Sequence, residues 1–263
     1  MRRAVFNQKG GVGKTTIVAN LAAISAARGL RTLAIDLDVQ GNLSHYLLGA
    51  QRSGQNIGDF FAATLGFSLQ NPPFSDYAVP TPFDGLDVVA ADPRLDELQV
   101  RLETRQKVAK LRQALERLEG YDAVWIDTPP AFNFYSRSAL IAAQRCLIPF
   151  DCDEFSRQAL YTLLENLREL RADHNESLEI EGIVINQFQS RAKLPARLVE
   201  ELKAEGQPLL EPPLSSSVKV RESHEQHTPL IHFAPSHRVT REYLALYDHL
   251  GAKKPRSARR RKA

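Results

Sequence analysis

The sequence predicts a three-layer α/β fold, in which a twisted, mostly parallel sheet carries helices on both faces. Short apolar runs of the kind that form buried strands alternate along the chain with apolar residues at helical spacing. Two of these runs, residues 33–38 and 123–127, end in aspartate. At 263 residues the chain is long enough to bury a sizeable core in one large domain.

The first predicted unit is a strand, a glycine-rich turn and a helix. Residues 4–6 are apolar, residues 9–16 read KGGVGKTT, and residues 17–24 carry an apolar stripe at helical spacing. Glycines let successive backbone N–H groups curl around an anion, and the helix start adds partial positive charge. We therefore predict a phosphate-binding loop in which Lys14 neutralises β- and γ-phosphate charge and Thr15 binds Mg²⁺. The predicted nucleotide contacts in the loop are Gly10, Gly11, Val12, Gly13, Lys14, Thr15 and Thr16.

The loop departs from the pattern G-x-x-x-x-G-K-[ST], because Gln8 stands at the position of the first glycine and a second lysine, Lys9, follows it. This stretch resembles the deviant Walker A motif, K-G-G-x-G-K-T-[TS], of the ParA/MinD family of ATPases. In that family the early lysine reaches the nucleotide of the other subunit. The resemblance implies a Mg²⁺-dependent ATPase that forms a homodimer around two ATP molecules, with Lys9 acting in trans and Lys14 in cis as catalytic residues.

Two further predicted strands end in carboxylates that the resemblance assigns to the same site. Residues 36–42 read DLDVQGN, similar to the family segment D-x-D-P-Q-G-N, and this implies that Asp38 positions the attacking water. Asp36 is expected to support the metal shell or Lys14. Residues 123–130 read AVWIDTPP, a Walker B pattern that places Asp127 near Mg²⁺.

A later strand, residues 180–186, ends in Asn186, at a position where relatives read the adenine ring. A turn residue that only terminates the strand is the alternative. The segment 229–233 resembles the one that wraps the base in the family.

The remaining elements are predicted from periodicity and breakers. We expect helical pieces over residues 43–63, a proline-containing surface excursion over 65–85, strands over 86–90 and 146–150, and helices over 108–118, 160–170 and 239–250. Gly120 is expected to end the helix over 108–118, as glycine does at a helix C-terminus.

Charge is concentrated at the end of the chain. The sequence has 34 Lys and Arg against 31 Asp and Glu, and residues 251–263 hold seven of the cations and no acid. The formal charge of +3 therefore becomes −4 without them. We expect an ATPase domain over residues 1–250 and a basic, disordered tail over 251–263, which is either merely solvated or attracted to phosphate-rich surfaces.

Composition also bounds the compartment. No run of 18 uncharged apolar residues is present, so no transmembrane segment is predicted, and residues 1–7 already read as a strand rather than as a signal peptide. Cys146 and Cys152 are interpreted as reduced thiols of a cytoplasmic protein.

A nucleic-acid surface is the next prediction. ParA-type dimers bind nucleoid DNA without sequence preference, and the resemblance therefore implies non-specific DNA binding, nucleoid association and a ParB-like or other cargo adaptor that stimulates hydrolysis. The candidate DNA-binding residues are Arg191, Lys193, Arg197, Lys219 and Arg221. These cations could also be merely solvated.

Three other functions share this core. A MinD-like membrane switch needs a C-terminal amphipathic helix, whereas residues 253–262 contain no large apolar residue for insertion and leave only electrostatic adsorption to anionic lipid. A metabolic ATP-dependent ligase needs a substrate pocket that no motif identifies. An iron–sulfur reductase needs paired cysteines at a dimer axis. His224 and His227 are interpreted as surface or loop residues rather than as a metal pair.

Overall fold

The elements below come from a computed structural model, which describes residues 1–50, 54–66, 72–152, 156–189 and 192–252. The strands are β1 (Arg2–Val5), β2 (Thr32–Asp36), β3 (Val79–Pro80), β4 (Leu86–Val89), β5 (Ala123–Asp127), β6 (Arg145–Asp151), β7 (Glu179–Asn186) and β8 (Leu209–Leu210). The helices are α1 (Lys14–Ala27), α2 (Asn42–Leu48), α3 (Ile57–Leu65), α4 (Leu95–Thr104), α5 (Lys110–Glu116), α6 (Phe134–Ala142), α7 (Ser156–His174), α8 (Lys193–Ala204), α9 (Val218–Glu225), α10 (Leu230–Phe233) and α11 (Arg238–Ala252).

The described strands form one eight-stranded sheet in the order β3-β4-β2-β5-β1-β6-β7-β8. Every pairing is parallel except that of the edge strand β3 with β4. β1 lies in the middle, between β5 and β6, so the loop that follows it opens at the centre of the carboxyl edge. The predicted mostly parallel sheet is confirmed.

Two apolar cores cover the two faces of the sheet, as the alternation of side chains along a strand requires. In β5, Val124 and Ile126 belong to one core, and Trp125 between them belongs to the other. The first core contains residues of α3 to α8, and the second contains residues of α1, α2, α10 and α11. Helices therefore pack on both faces, which confirms the predicted three layers.

The prediction of an irregular surface excursion over residues 65–85 is wrong for the part that the structure describes. Phe74 and Tyr77 lie on a short 3-10 helix, Phe74–Tyr77, and are 5% and 2% exposed. Both rings pack against Phe60 of α3, at centroid distances of 4.9 and 5.7 Å. The following strand β3 then pairs with β4. Residues 67–71 lie outside the described residues.

The amphipathic helix predicted between residues 108 and 118 is shorter than expected. It covers only Lys110–Glu116, so Gly120 does not cap it, although Gly120 has a left-handed φ of 83°. Val108 and Leu118 still pack against the first core from the flanking turns. The helix α4 before it was not predicted, although Leu98 and Leu102 mark its buried face. The other predicted strands and helices are confirmed within a few residues at their ends.

Candidate nucleotide-binding site

The phosphate loop owes its shape to two glycines with left-handed backbone. Gly11 and Gly13 have φ values of 74° and 88°, a region that residues with a Cβ adopt only at a cost. Gly13 also precedes α1 directly, and its carbonyl accepts the first helical hydrogen bond, from the Ile17 N–H at 3.0 Å. A Cβ at Gly13 would stand 2.2 Å from Nδ2 of Asn186. Glycine is therefore required there both by conformation and by space.

Lys14 turns back over the loop. Its Nζ donates a hydrogen bond to the carbonyl oxygen of Lys9 at 3.0 Å, and the residue is only 7% exposed. Burial lowers the pKa of Lys14, whereas the nearby carboxylates of Asp127 and Asp38 raise it. The ammonium is thus held in a partly desolvated position, where its attraction for phosphate oxygens is stronger than in water.

Asp127 and Asp36 are brought together by the register of two neighbouring strands. They are paired residues at the ends of β5 and β2, and both are fully buried. Burial raises the pKa of both carboxyl groups, that of Asp36 to about 6, and the Asp36 charge raises the pKa of Asp127 further. The Thr15 hydroxyl donates to Oδ2 of Asp127 at 2.6 Å.

This arrangement fits Mg²⁺ as an ion shared with phosphate groups. Hydroxyl and carboxylate oxygens are its preferred ligands, and it usually takes only one or two of them from the protein. Thr15 and Asp127 supply that set. Within the described part of the chain, no group of three or more His, Cys, Asp or Glu side chains is placed to hold a metal by itself.

Asp36 and Asp38 have different surroundings. The Asp36 carboxylate accepts hydrogen bonds from the Asp38 N–H at 3.1 Å and from the backbone and hydroxyl of Ser44 at 2.8 and 2.7 Å. These contacts favour a role in supporting the turn, and a direct metal contact of Asp36 stays a prediction. Asp38 lines the cavity beside the loop, and its Oδ1 accepts from the Gln40 N–H at 3.0 Å.

The loop forms one end of a cavity of about 760 Å³, a size suited to a nucleotide. The lining also includes Ser215, Ser216, Ser217, Val218 and Tyr243. The segment 229–233, which was expected to wrap the base, is absent from the described lining. Instead, the Leu230 N–H donates to the side chain of Asn20 on α1 at 2.8 Å.

The end of β7 supports the loop from the side. Nδ2 of Asn186 donates to the Val12 carbonyl at 2.8 Å, and Nε2 of Gln187 donates to the Gly11 carbonyl at 2.7 Å. Both residues line the cavity. Contact of Asn186 with adenine stays a prediction. Gln187 was not predicted, and no local pattern marks it, since its partner is 176 residues away in the chain.

The Lys9 side chain reaches the end of β6. Its Nζ is 3.8 Å from Oδ2 of Asp151, and both side chains are about one-third exposed, at 34% and 33%. Lys9 is not among the described residues that line the cavity, although Gly10 next to it is.

The interpretation of His224 as a surface or loop residue is wrong. This residue is half-buried on α9, its ring stacks on Tyr46, and its Nε2 is 3.0 Å from the Thr16 hydroxyl. His227 follows the same helix and packs its ring edge against His45 at 4.4 Å. Cys146 and Cys152 are both buried and neither forms a disulfide, in agreement with the prediction of reduced thiols.

Four of the five candidate DNA-binding residues lie in the described part of the chain, and two of them are paired with carboxylates. Lys193 begins α8, and Arg197 lies 3.5 Å from Glu201. Lys219 lies 2.6 Å from Glu222, and Arg221 lines the nucleotide cavity. Arg191 and residues 253–263 of the predicted tail lie outside the described residues, whereas α11 includes residues 251 and 252. Among the helices that the structure describes, none has the length and apolar character to cross a membrane.

A central parallel strand leading into KGGVGKTT, with neighbouring strands that end in aspartates, defines a P-loop nucleoside triphosphatase. A family model described as an AAA domain matches residues 3–180. The chromosome partitioning protein ParA of Caulobacter vibrioides strain NA1000 is 32% identical over 250 residues, which cover 92% of this chain and 91% of ParA. The sporulation initiation inhibitor protein Soj of Bacillus subtilis is 30% identical over 252 residues, or 95% and 97% of the two chains.

Solved structures agree with this assignment at the level of the fold. A complex of Cyanothece McdA with ATP superposes with a TM-score of 0.81 at 22% sequence identity, over 97% of this chain and 98% of that one. The chain belongs to the ParA/MinD family of ATPases and is an enzyme that hydrolyses ATP.

Proposed function

We propose that this ATPase forms a homodimer around two Mg²⁺–ATP molecules, binds DNA without sequence preference in that state, and positions or partitions a cargo. The observation that carries the proposal is the orientation of Lys9. Its carbonyl holds Lys14 beside the cavity, while its ammonium lies outside, near Asp151. A cation on that side of the loop can serve a nucleotide bound by another subunit better than one bound by its own.

The chain's own residues account for a hydrolytic step. Thr15 and Asp127 would hold Mg²⁺, which would supply positive charge beside the phosphates. Asp38 orients the attacking water, and Lys14 from one subunit with Lys9 from the other stabilises the charge that develops on the γ-phosphate. Asp36 keeps the Asp38 turn in place through its bond to the Asp38 N–H.

The same contacts make a switch. The γ-phosphate joins Lys9 of the second subunit to the Asp38 turn, so its loss removes contacts that hold the dimer together. DNA binding through Lys193, Arg197, Lys219, Arg221 and the basic tail then weakens, because each monomer presents only half of the phosphate contacts. A ParB-like or other adaptor is expected to accelerate this cycle, in the cytoplasm and on the nucleoid. The name of the Caulobacter relative, chromosome partitioning protein ParA, supports a cargo of that kind.

The dimer is tested with Lys9→Ala. In light scattering after gel filtration, the wild-type chain should shift from monomer to dimer with ATP but not with ADP, and Lys9→Ala should stay monomeric and lose hydrolysis. Lys110→Ala is the matched control, because its ammonium donates to Gln113 on α5, away from the cavity. Retention of ATP-dependent dimerisation and hydrolysis by Lys9→Ala would show that the trans-lysine mechanism is wrong.

The DNA state is tested separately, by titrating random-sequence duplex DNA with ATP, ADP and no nucleotide over a salt series. ATP-selective binding that weakens steeply with salt supports the proposal. Binding that ignores the nucleotide assigns the affinity to the basic tail alone. No binding in any state contradicts the DNA function and favours the membrane or metabolic alternatives, of which co-sedimentation with anionic liposomes tests the first.

A further inference from the structure

A histidine far away in the sequence contacts the phosphate loop from behind. Nε2 of His224, on α9, lies 3.0 Å from Oγ1 of Thr16, and the two residues are 208 positions apart. Thr16 belongs to the loop motif and lines the nucleotide cavity. The end of α9 is therefore in hydrogen-bond contact with a side chain of the predicted phosphate loop.

The position of His224 is fixed by a second contact. Its ring stacks on Tyr46 of α2 at a centroid distance of 4.0 Å and an interplanar angle of 18°. Tyr46 is 1% exposed, and its hydroxyl is 2.8 Å from that of Ser223, which is fully buried. Neighbouring residues of α9 thus hold the same tyrosine, one by stacking and one by a hydrogen bond.

The direction of the Thr16–His224 hydrogen bond depends on which ring nitrogen of His224 carries the proton. Burial lowers the pKa of His224, so its imidazole is neutral near pH 7 and carries one N–H. The Thr16 hydroxyl has one proton and two lone pairs. When the His224 Nε2–H donates, the threonine proton is left for an acceptor in the cavity, and the only acceptors that a triphosphate offers there are its oxygens.

We propose that His224 is a positioning residue for the nucleotide: it donates to Oγ1 of Thr16, directs that hydroxyl toward a phosphate oxygen, and so couples α9 to the occupied loop. The proposal rests on the nucleotide site described above and is independent of dimerisation and DNA binding. Because coupling between two sites is reciprocal, nucleotide binding orders α9, and a disordered α9 weakens nucleotide binding.

The coupling has a consequence for the rest of α9. This helix carries Arg221, which lines the same cavity, and Lys219, a candidate DNA contact. Ser217 is the N-cap of α9, and its hydroxyl accepts a hydrogen bond from the Lys219 N–H. Occupation of the loop is therefore transmitted through His224 to a helix that both lines the cavity and carries a candidate DNA contact.

A double-mutant cycle tests the contact. Thr16→Val removes the hydroxyl at nearly constant volume, and His224→Phe keeps a ring for Tyr46 but has no N–H. Affinity for a non-hydrolysable ATP analogue with Mg²⁺ is measured by calorimetry for the wild type, both single variants and the double variant. His224→Phe should weaken binding by about 2- to 12-fold, the range of one hydrogen bond. The double variant should bind as weakly as Thr16→Val alone, and losses that multiply would overturn the proposal.

His232→Phe is the matched control. His232 also stacks on an aromatic ring, Phe83, at 4.9 Å and 15°, and burial also lowers its pKa, but it is not among the described residues lining the cavity. Its replacement should leave the affinity unchanged. An equal loss of affinity in both variants would mean that replacing a stacked histidine loosens the fold in general, and it would overturn the positioning role of His224.

A second measurement does not depend on the phenylalanine variant folding. Hydrogen exchange in α9 should slow when the analogue binds to the wild type, and His224→Gln, which keeps a side-chain N–H donor, should retain part of the slowing and of the affinity. Unchanged exchange in wild-type α9 contradicts the coupling. If the wild type does not bind the analogue, the nucleotide-binding function itself is wrong. That outcome differs from an additive double-mutant cycle, which contradicts only the positioning role of His224.

Discussion

At the scale of single residues, position 13 has the strictest requirement for glycine in the site. Its φ of 88° and the 2.2 Å distance from an added Cβ to the Asn186 amide act together. Gly13→Ala should lower the free energy of unfolding by at least about 1–2 kcal/mol, the cost of a left-handed alanine, and should weaken ATP binding because the Asn186–Val12 bond is displaced. Urea unfolding and ATP titration measure the two effects.

Gly10→Ala is the control for this prediction. No heavy atom lies within 4 Å of an added Cβ at Gly10, and its φ is outside the left-handed region. Its unfolding free energy should stay within about 0.5 kcal/mol of the wild-type value. Equal destabilisation by both substitutions would mean that neither constraint at Gly13 matters.

His224 gives a pH dependence whose sign follows from its burial. Because burial lowers its pKa below 6.5, the unfolded chain takes up the proton first as pH falls. The His224 contribution to stability is therefore complete above pH 6.5, is lost as pH falls toward the folded-state pKa, and is constant below that value. The difference in unfolding free energy between wild type and His224→Phe should shrink from pH 8 to pH 5.5. A difference that is independent of pH would contradict this assignment.

How far the sequence predicts these residues depends on whether their partners are local. The loop residues and Asp127 were predictable because motif and strand context lie within a few positions of one another. The contacts Thr16–His224 and Gly11–Gln187 join positions 208 and 176 residues apart, and no periodicity or spacing encodes them. Only the folded chain brings these pairs together.

At the scale of elements, a β-bulge places a buried charge among three strands. The pairing of β6 with β7 shifts between Cys146 and Leu147, and Glu181 is the additional residue at that point. Its carboxylate accepts hydrogen bonds from Arg3 on β1 at 2.7 and 3.0 Å and from Arg145 on β6 at 3.0 Å. This cluster lies near the amino-terminal ends of the strands, at the edge opposite the nucleotide site.

Glu181→Gln should be strongly destabilising, because it leaves two largely buried guanidinium groups short of their common partner. The Arg3 and Arg145 side chains are 12% and 8% exposed. Removing one member of a buried ion cluster costs about 3–5 kcal/mol. Urea unfolding should show this loss, while ATP affinity measured well below the transition should be unchanged, since the cluster lies away from the cavity.

Asp248→Asn is the matched control for the buried cluster. Asp248 is paired with Arg28 at 3.1 Å, but the two side chains are 61% and 52% exposed. An exposed pair contributes about 0–1 kcal/mol, so this variant should unfold nearly as the wild type does. Similar losses of unfolding free energy in the two variants would contradict the expectation that burial, and not pairing alone, makes the Glu181 cluster important for stability.

The elements that were mispredicted failed for identifiable reasons. Prolines at 72, 73, 80 and 82 indicated an excursion, yet Pro80 lies in β3 at the sheet edge, where a missing N–H is tolerated. The rings of Phe74 and Tyr77 are buried because Phe60 offers them an aromatic surface, which tertiary packing alone supplies. Helix α4 was predictable, because the sequence places Leu95, Leu98 and Leu102 at spacings of three and four residues along one face.

At the scale of the whole molecule, the fold was the most predictable feature, since strand–helix alternation with polar strand ends admits few arrangements. Charge is distributed unevenly along the chain. The formal charge of +3 includes seven cations in residues 253–262, so the remaining chain is acidic, at −4. On α8 and α9 the candidate cations Arg197 and Lys219 lie beside Glu201 and Glu222, which reduces their net attraction for phosphate.

This distribution predicts which part of the chain dominates DNA affinity. Truncation after Ala252 removes seven cations but none of the residues of the nucleotide site. For B-DNA the salt slope falls by about 0.9 per lost phosphate contact, so the truncated chain should lose up to about 6 from the slope of log affinity against log salt. ATP hydrolysis and ATP-dependent dimerisation should remain, because Lys9, Lys14, Asp38 and Asp127 all precede the cut.

A chain of full length with the seven tail cations changed to glutamine separates charge from length. It should behave like the truncated chain, because counterion release depends on charge neutralised at the phosphates and not on chain mass. If both altered chains keep the wild-type salt slope, the DNA contacts belong to α8 and α9, where they must compete with Glu201 and Glu222. If the slope falls but ATP selectivity remains, the tail supplies affinity while the folded domain supplies the nucleotide control, which is the division of labour expected for a domain over 1–250 and a separate basic tail.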